Sequence, residues 1–307
     1  MFQKQKFEYV NCNVCEVDNA VIFFKENGCS VVRCQNCGLV YVNPRPINLS
    51  HGSKKTKKNE YSNYIRGYIA HQIGHSLRSE KIMNELEKIH PEKGKLLEVG
   101  CAAGFLLNTA REMGWQVEGI EPEESIARYA IEKFNLNVKI SSIEFAKFPE
   151  NHFDIIIALN VLSHLRDPKS VLKKIHSILK RNGVFVFQTG NKGVMRTKKK
   201  AEILGESWLT PEHLYHFSEH PLALLLNQIG FKVKCLVREH VVEHMVSEEI
   251  LRLNRSTSLK WFLKRLLLKS DRIRNLSTSL LKFYCSKILD SNVCSLLYIA
   301  EKNITKK

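Results

Sequence analysis

Short apolar runs alternate with amphipathic segments between residues 95 and 190. Five runs have the length of β-strands: KLLEV, WQVEGIE, NVKIS, FDIIIALN and VFVFQTG. Between them, apolar residues recur every three or four positions, as in α-helices, in FLLNTAREMG, PEESIARYAIEKF and DPKSVLKKIHSILKRNG. Strands that are apolar at consecutive positions are buried on both faces. The pattern therefore predicts an α/β fold in which helices cover both faces of a parallel sheet.

The regions on either side of this core predict smaller elements. AVIFF and CSVVRC are strand-like runs around the turn residues Asn27-Gly28. Residues 43–60 contain two prolines and the basic run KKTKK, which is typical of a linker, and helical periodicity follows up to Pro91. After the core, FKVKCLVRE and NVCSLLYIAEK are strand-like, and the pattern between them is helical.

These patterns divide the chain of 307 residues into one large domain with smaller attachments. We predict a zinc-ribbon-like module at residues 1–46, a linker and lid helix at 47–94, the core at 95–240, a helical insertion at 241–290, and a final strand and tail at 291–307. Since the core has its own apolar residues, we expect it to stay folded when the N-terminal module unfolds.

Charge is distributed unevenly along the chain. The formal net charge is +16, and residues 251–307 carry thirteen Lys and Arg against three Asp and Glu, which indicates an acidic partner surface. In LKWFLKRLLLKS, leucines occupy one helical face and cations another. Such a helix can lie in a membrane interface, or it can pack on its own domain or on a second subunit. The N-terminus has no apolar leader and no run approaches eighteen apolar residues, so we expect a cytoplasmic protein, with peripheral attachment to the inner membrane face as an alternative.

Four of the nine cysteines form two C-x-x-C pairs. Cys12 and Cys15 precede the predicted hairpin, and Cys34 and Cys37 follow it. Two such pairs at the ends of a hairpin can supply four thiolates to one tetrahedral Zn²⁺. Because all four positions are protein ligands, we expect the zinc to be structural and Cys29 to be a buried thiol outside the site.

The stretch LLEVGCAAGFLL, residues 96–107, changes from strand to helix at its glycines. A dinucleotide-binding turn, G-x-G-x-x-G, would need glycines where Ala102 and Phe105 stand. A phosphate-binding loop is also excluded, because the spacing from Gly100 to Gly104 is one residue short and phenylalanine follows. The turn therefore favours neither NAD nor ATP as its ligand.

The pattern acid-x-Gly-x-small-x-Gly from Glu98 to Gly104 resembles motif I of the class I S-adenosylmethionine-dependent methyltransferases. The resemblance implies a Rossmann-like seven-stranded sheet and a loop that wraps the amino-acid and ribose parts of the cofactor. A side chain at Gly104 is expected to occupy the approach of the ribose. The cofactor-binding residues that the resemblance implies are Glu98, Gly100, Ala102, Gly104, Glu121 (ribose hydroxyls), Ser142 and Ile143 (adenine), and Asn160. His164 matches a position beneath the cofactor, or it is a packing histidine.

A second resemblance narrows the acceptor. The cysteine-rich ribbon, the core and the segment WLTPEHLYHFSEHPLALLLNQIGF together resemble bacterial and archaeal methyltransferases of sugar and cell-surface polysaccharide synthesis. Sugar C-methyltransferases of that group use the histidine of a Glu-His-Leu segment as base, which implies His213 with Glu212. Pro211 replaces another histidine of those enzymes, and the chain stops about a hundred residues before their C-terminal domain would end. We therefore expect O-methylation of a small-molecule or lipid-linked sugar.

Alternative functions stay open at this stage. One alternative is that the histidine segment has no catalytic role and simply leads into the next helix, with Ser218 as the cap of that helix. C-methylation of a sugar is one alternative reaction, and a scaffold that binds the cofactor without turnover is another. Another alternative is a nucleic-acid methyltransferase or a nucleic-acid-binding protein, in which the ribbon and the basic tail would bind the nucleic acid. Such enzymes commonly carry Asn/Asp-Pro-Pro-aromatic after the fourth strand, where this chain has NVLSHL, so we do not expect nucleic acid as a partner.

Overall fold

The computed structural model of the protein describes residues 6–26, 28–47, 66–190, 212–240 and 294–302. The chain divides into one unit formed by residues 1–237 with 296–307 and a second formed by residues 238–295. The predicted helical insertion at 241–290 lies outside the described residues, as do residues 48–65 of the linker. The first unit contains the cysteine ribbon and most of the α/β core.

The N-terminal segment folds into short antiparallel strands. Strand β1 (Phe7–Glu8) pairs with β5 (Arg45–Pro46), while β2 (Ala20–Glu26), β3 (Cys29–Cys34) and β4 (Val40–Val42) form a meander. Gly28 has a φ of 76°, in the left-handed region that the predicted hairpin turn requires. A fourth strand, β11 (Tyr215–His216), pairs with β4, so the ribbon sheet is completed by a segment from the other end of the core.

The core alternates strands and helices as the apolar pattern predicts. Its helices are α1 (Gln72–Ile89), α2 (Phe105–Glu112), α3 (Glu124–Phe134), α4 (Pro168–Ile178) and α5 (Glu219–Ile229), and a 3-10 turn spans Leu162–His164. Its strands are β6 (Lys95–Val99), β7 (Gln116–Glu121), β8 (Val138–Ile140), β9 (Phe153–Leu159), β10 (Leu179–Gly190), β12 (Phe231–His240) and β13 (Cys294–Lys302). Residues 66–70 form a helical segment immediately before α1.

Seven strands form one sheet in the order β8–β7–β6–β9–β10–β13–β12. The five strands from β8 to β10 in this order are parallel to their neighbours. Parallel strands place all their carboxyl ends at one edge of the sheet, where ligands of such folds bind. The predicted α/β fold with a seven-stranded sheet and flanking helices is confirmed.

Alternate residues of the central strands pack into different apolar clusters. In β9, Ile156 belongs to a cluster that also contains Leu172 of α4 and Leu225 of α5. Its neighbour Ile157 belongs to a second cluster, with Leu107 of α2 and Met83 of α1. Since successive side chains of a strand point to opposite faces, the sheet is buried on both sides. This explains why its strands are apolar at consecutive positions.

Helix α4 begins where the sequence predicts and ends earlier. The Asp167 carboxylate accepts a hydrogen bond from the Ser170 backbone N–H at 3.1 Å, and Pro168 occupies the first helical turn. The helix ends at Ile178 rather than near Gly183, because Leu179 is already buried and paired with Phe153 of β9. Burial of this leucine extends the strand into a segment that was predicted to be helical.

The ribbon and the core share one buried apolar cluster. Leu39 and Tyr41 of the ribbon lie in the same cluster as Leu214 and Phe217, and the cluster continues to Phe185 in the sheet. The rings of Tyr41 and Tyr215 stack with centroids 6.3 Å apart. One face of the sheet therefore shares its apolar cluster with the ribbon, whereas the cluster on the other face contains no ribbon residue among those described.

Within the described part of the chain, no helix is both long enough and apolar enough to cross a membrane.

Candidate active site

The loop after β6 follows the sequence predicted for a ligand-binding turn. Gly100, Ala102 and Gly104 have φ values of 72°, 46° and 75°, so alternate residues adopt the left-handed conformation. The N–H groups of Gly100 and Cys101 donate to the carbonyl of Ile120 at 2.8 and 3.1 Å. These bonds fix the loop to the end of β7 and leave its backbone at the carboxyl edge of the sheet.

The two loop glycines avoid side-chain clashes inside the protein. A Cβ atom on Gly104 would lie 2.8 Å from the Cβ of Ala130 in α3 and 2.7 Å from Cδ1 of Leu136. A Cβ atom on Gly100 would lie 2.8 Å from Cγ2 of Val161. The expectation that a side chain at Gly104 would occupy the ribose approach is therefore wrong, because the missing Cβ faces another helix.

Two buried carboxylates stand beside this loop. Glu121 accepts the Ala102 N–H on Oε2 at 2.9 Å and the Glu123 N–H on Oε1 at 3.0 Å. Burial, and then the nearby Glu121 charge, raise the pKa of Glu98 well above its ordinary value. Oε2 of Glu98 has no hydrogen-bond partner within the described ranges. A buried acceptor of this kind fits a ligand that brings its own N–H or O–H donors.

The remaining predicted cofactor residues lie at the same edge of the sheet. Ser142 and Ile143 follow β8, where the Ser142 carbonyl accepts the N–H of Ala146 at 3.1 Å and Ile143 is buried. Asn160 follows β9, has a φ of 58° and is exposed. The predicted residues thus lie at the carboxyl ends of four neighbouring parallel strands, either in the last residues of the strand or in the loop that follows.

Two histidines that are distant in the sequence meet at this edge. The ring centroids of His164, in the 3-10 turn after β9, and His213, before β11, are 4.5 Å apart, with an interplanar angle of 74°. Nδ1 of His164 lies 3.1 Å from the backbone carbonyl oxygen of Glu212. Glu212 is exposed. Ser218 occupies the N-cap position of α5, as predicted, and caps the helix without a hydrogen bond from its side chain.

The four predicted metal ligands converge. The Sγ atoms of Cys12, Cys15, Cys34 and Cys37 all lie within 4.8 Å of one another. Zn–S bonds of about 2.3 Å in a tetrahedron place the sulfurs about 3.8 Å apart. The four thiols are thus close enough together to hold one metal ion. Cys29 is buried and is not part of this group.

The two cysteine pairs have the same backbone geometry. In each, the N–H four residues after the first cysteine donates to that cysteine's carbonyl, from Glu16 to Cys12 at 2.7 Å and from Gly38 to Cys34 at 2.9 Å. Glu16 and Gly38 both have a positive φ. Two equivalent turns thus present two thiols each to one point, an arrangement that can hold a metal ion.

Comparison with known proteins identifies the core. A family model described as a methyltransferase domain matches residues 69–236, which is more than half of the chain. The chain belongs to this methyltransferase family. The sheet order and the glycine loop agree with the family, and the prediction of a class I methyltransferase domain is confirmed.

Relatives of this methyltransferase resemble it over part of their length. A ubiquinone biosynthesis O-methyltransferase of Bradyrhizobium diazoefficiens is 29% identical over 134 residues, covering 42% of this chain and 49% of the relative. The chain therefore spans about half the length of this relative.

Two solved structures share the fold of the methyltransferase. One is a putative sarcosine dimethylglycine methyltransferase from Galdieria sulphuraria, with a TM-score of 0.52, 14% identity, and coverage of 75% of this chain and 86% of that chain. The other is a geranyl diphosphate methyltransferase in complex with SAM, with a TM-score of 0.51, 14% identity, and coverage of 74% and 85%.

Sequence reasoning missed a cation above the sheet of the methyltransferase. Arg78 of helix α1 donates a hydrogen bond to the side-chain oxygen of Gln188, which is buried near the end of β10. The same helical region packs on the start of α2, where the rings of Tyr68, His75 and Phe105 all stack on one another with centroids 4.0–5.9 Å apart. The helical period of this region reveals its apolar side, whereas the position of Arg78 depends on how the helix crosses the sheet.

Proposed function

We propose that the protein transfers a methyl group from S-adenosylmethionine to a hydroxyl group of a sugar or lipid-linked glycan. The observation that carries this proposal is the pairing of His213 with His164 at the edge of the sheet that also holds the glycine loop. The relative described above is named an O-methyltransferase, which supports a hydroxyl group as acceptor. A sugar acceptor is supported by the resemblance of the ribbon and of Glu212-His213-Leu214 to segments of sugar methyltransferases.

The cofactor would be held by the loops after β6 and β7. Glu98 supplies a buried acceptor for a donor group of the ligand, and Glu121 supplies a carboxylate for the ribose hydroxyls. The backbone from Gly100 to Gly104 lines the approach. When bound, S-adenosylmethionine supplies a methyl group on a positively charged sulfur, an electrophile that needs no metal.

His213 acts as the base in this proposal. An alcohol is a weak nucleophile until its proton is removed, and imidazole is the side chain best suited to accept a proton near neutral pH. His213 accepts the hydroxyl proton, while the contact of His164 Nδ1 with the Glu212 carbonyl fixes the neighbouring ring. In this proposal the base is surrounded by residues of two separate loops.

The four clustered cysteines bind one structural Zn²⁺ in this proposal. All four coordination positions are thiolates, so the metal cross-links the ribbon and leaves no position for a substrate. Elemental analysis of reduced, freshly purified protein tests this directly. We expect one zinc per chain, and protein that contains no metal would contradict the assignment.

A labelled-cofactor assay tests the reaction. S-adenosylmethionine with a labelled methyl group is incubated with nucleotide sugars, lipid-linked glycans and, as a comparison, hydroxylated quinone precursors. We expect label in a sugar fraction, and label only in the quinone fraction would overturn the sugar assignment. Removal of a general base costs about 10²–10⁴-fold in rate. His213→Asn should therefore lower kcat by at least about 100-fold without weakening cofactor binding. His220→Asn, at an exposed position of α5, is the control and should leave kcat unchanged.

A further inference from the structure

We propose that the ribbon helps to build the acceptor site. Its residues Arg45 and Asn13 are positioning residues that hold the His164–His213 pair in place. This inference rests on the proposed role of His213. It assigns the metal-binding module a task beyond stability, namely fixing the distance between two loops that each carry one histidine. Three independent sets of contacts support it.

The first set holds the backbone next to His213. The Leu214 N–H donates to the Ser163 carbonyl at 2.8 Å, and the Leu214 carbonyl accepts the Val42 N–H at 2.9 Å. Leu214 is therefore bonded on one side to the turn that carries His164 and on the other side to ribbon strand β4. Pairing of Tyr215 with Tyr41 and of His216 with Val40 extends the connection.

The second set joins a cysteine turn to the helix that follows His164. Asn13 lies between Cys12 and Cys15. Its side-chain amide donates to Asp167 Oδ1 at 2.9 Å, and its side-chain oxygen accepts the Lys169 N–H at 2.8 Å. Two hydrogen bonds from one amide fix both distance and orientation. The first metal-binding turn is thus attached to the start of α4, three residues after His164.

The third set centres on a buried arginine. Arg45 is 9% exposed and donates to Glu8 Oε1 at 2.7 Å, to the Arg166 carbonyl at 2.6 Å and to the Tyr215 hydroxyl at 3.0 Å. The Tyr215 hydroxyl also donates to the Arg166 carbonyl at 3.2 Å. Arg166 and Tyr215 each stand two residues after one of the histidines, so a single guanidinium connects both loops to the ribbon.

This arrangement predicts how the site responds when the connection is lost. The histidine pair depends on two loops that meet at the ribbon, whereas the cofactor loop depends on β6 and β7. Changes in the ribbon should therefore disturb the histidines and spare the cofactor. Displacements of about 1 Å at a reacting group can cost about 100-fold in rate.

The experiment compares Arg45→Met with Arg33→Met, a matched change in the same ribbon. Arg33 is exposed and lies over the Phe23 ring, 4.1 Å from its centroid. Histidine ring resonances of labelled protein are followed by NMR in the absence of substrate, and calorimetry gives the cofactor affinity. We expect Arg45→Met to shift the His164 and His213 resonances and to lower kcat at least tenfold, with cofactor affinity within twofold. Arg33→Met should change neither.

Asn13→Ala and metal removal provide further arms, and Asn13→Ala decides the matter if Arg45→Met does not fold. Both should shift the same histidine resonances. Unchanged resonances in folded variants, or a loss of cofactor affinity equal to the loss of kcat, would overturn the inference. Failure of the proposed function gives a different result: His213→Asn would keep full turnover while the resonances still respond to the ribbon.

Discussion

Ala102 illustrates how single residues of the cofactor loop are constrained by backbone conformation. Its φ of 46° lies in a region where a Cβ atom costs about 1–2 kcal/mol, and its N–H is donated to Glu121. The residue therefore contributes through its backbone, and its methyl group is tolerated rather than needed.

We expect Ala102→Gly to be nearly neutral. Glycine relieves the left-handed strain, and the greater freedom of the unfolded chain offsets this by a similar amount of about 0.5–1 kcal/mol. Cofactor affinity by calorimetry should stay within twofold. The neighbouring Ala103→Gly is the control. Ala103 is fully buried and has no positive φ, so glycine at this position should lower the free energy of unfolding by about 0.4–1 kcal/mol. Equal effects of the two changes would contradict this account.

Glu98 makes stability dependent on pH. Because its pKa is raised by burial and by Glu121, the folded protein retains a proton that the unfolded chain releases above about pH 4.5. The free energy of unfolding therefore falls as pH rises above that value. In Glu98→Gln this loss should be absent. The free energy of unfolding of the variant, relative to that of wild type, should therefore increase by up to about 1.4 kcal/mol per pH unit. Urea unfolding at pH 5, 6 and 7 measures the gain, and parallel profiles would refute it.

At the scale of elements, the loop glycine sets how closely two segments pack. Helix α3 lies against the cofactor loop because Gly104 has no side chain facing Ala130. The glycine of motif I thus determines helix packing as well as the conformation of the turn.

A double-mutant cycle tests this packing. Gly104→Ala introduces a methyl group 2.8 Å from that of Ala130 and should lower the free energy of unfolding by about 1–3 kcal/mol. Ala130→Gly alone should cost about 1 kcal/mol as a glycine within a helix. The double variant should be more stable than the sum of the two losses predicts, because the clash with Ala130 is removed while the one with Leu136 remains. Additive losses in chemical unfolding would show that the two positions do not touch.

At the scale of the whole molecule, the ribbon and the core share part of their interior. Both contribute to one apolar cluster, and a strand from the core completes the ribbon sheet. We therefore expect the two parts to unfold together, and the loss of a buried ribbon side chain to destabilise the sheet.

We expect Tyr41→Ala in the ribbon to weaken the core by about 3 kcal/mol, the cost of removing a buried aromatic side chain. Hydrogen exchange of β9 and β10 reports on the core directly, and its protection should fall in parallel with the ribbon's. Ile22→Ala, at a ribbon position that is 64% exposed, is the matched control and should have no such effect. Unchanged protection in Tyr41→Ala would mean that the two parts are independent.

Residues 251–290 lie outside the described part of the structure, and their sequence gives a prediction about location. They carry ten Lys and Arg against two Asp and Glu beside a leucine-rich face. Each cation near an anionic leaflet contributes about 1 kcal/mol, so binding to anionic vesicles should be reversible and salt-sensitive. Leu263→Glu with Leu267→Glu should weaken flotation with vesicles and leave cofactor affinity unchanged. A wild-type protein that stays unbound at low salt would favour a soluble nucleotide sugar as acceptor.

The sequence by itself determined the α/β core, its strands and the cofactor loop. Apolar periodicity is local, and β6 was located at the residues that KLLEV occupies. The convergence of Cys12, Cys15, Cys34 and Cys37 was likewise predicted, because a hairpin fixes the distance between its ends. The edge of the sheet that carries the loop residues followed from the rule for parallel strands.

The contacts that these parts make with one another could not be predicted from the sequence and are known from the tertiary structure alone. Gly104 faces Ala130, and Arg45 connects loops more than 100 residues away from it, because contacts between distant segments depend on how helices and sheets cross. The meeting of His164 and His213 arises from the same cause: a short strand joins the ribbon and brings one loop to the other. Local patterns carry no record of such crossings, since they depend only on residues that are near one another in the sequence.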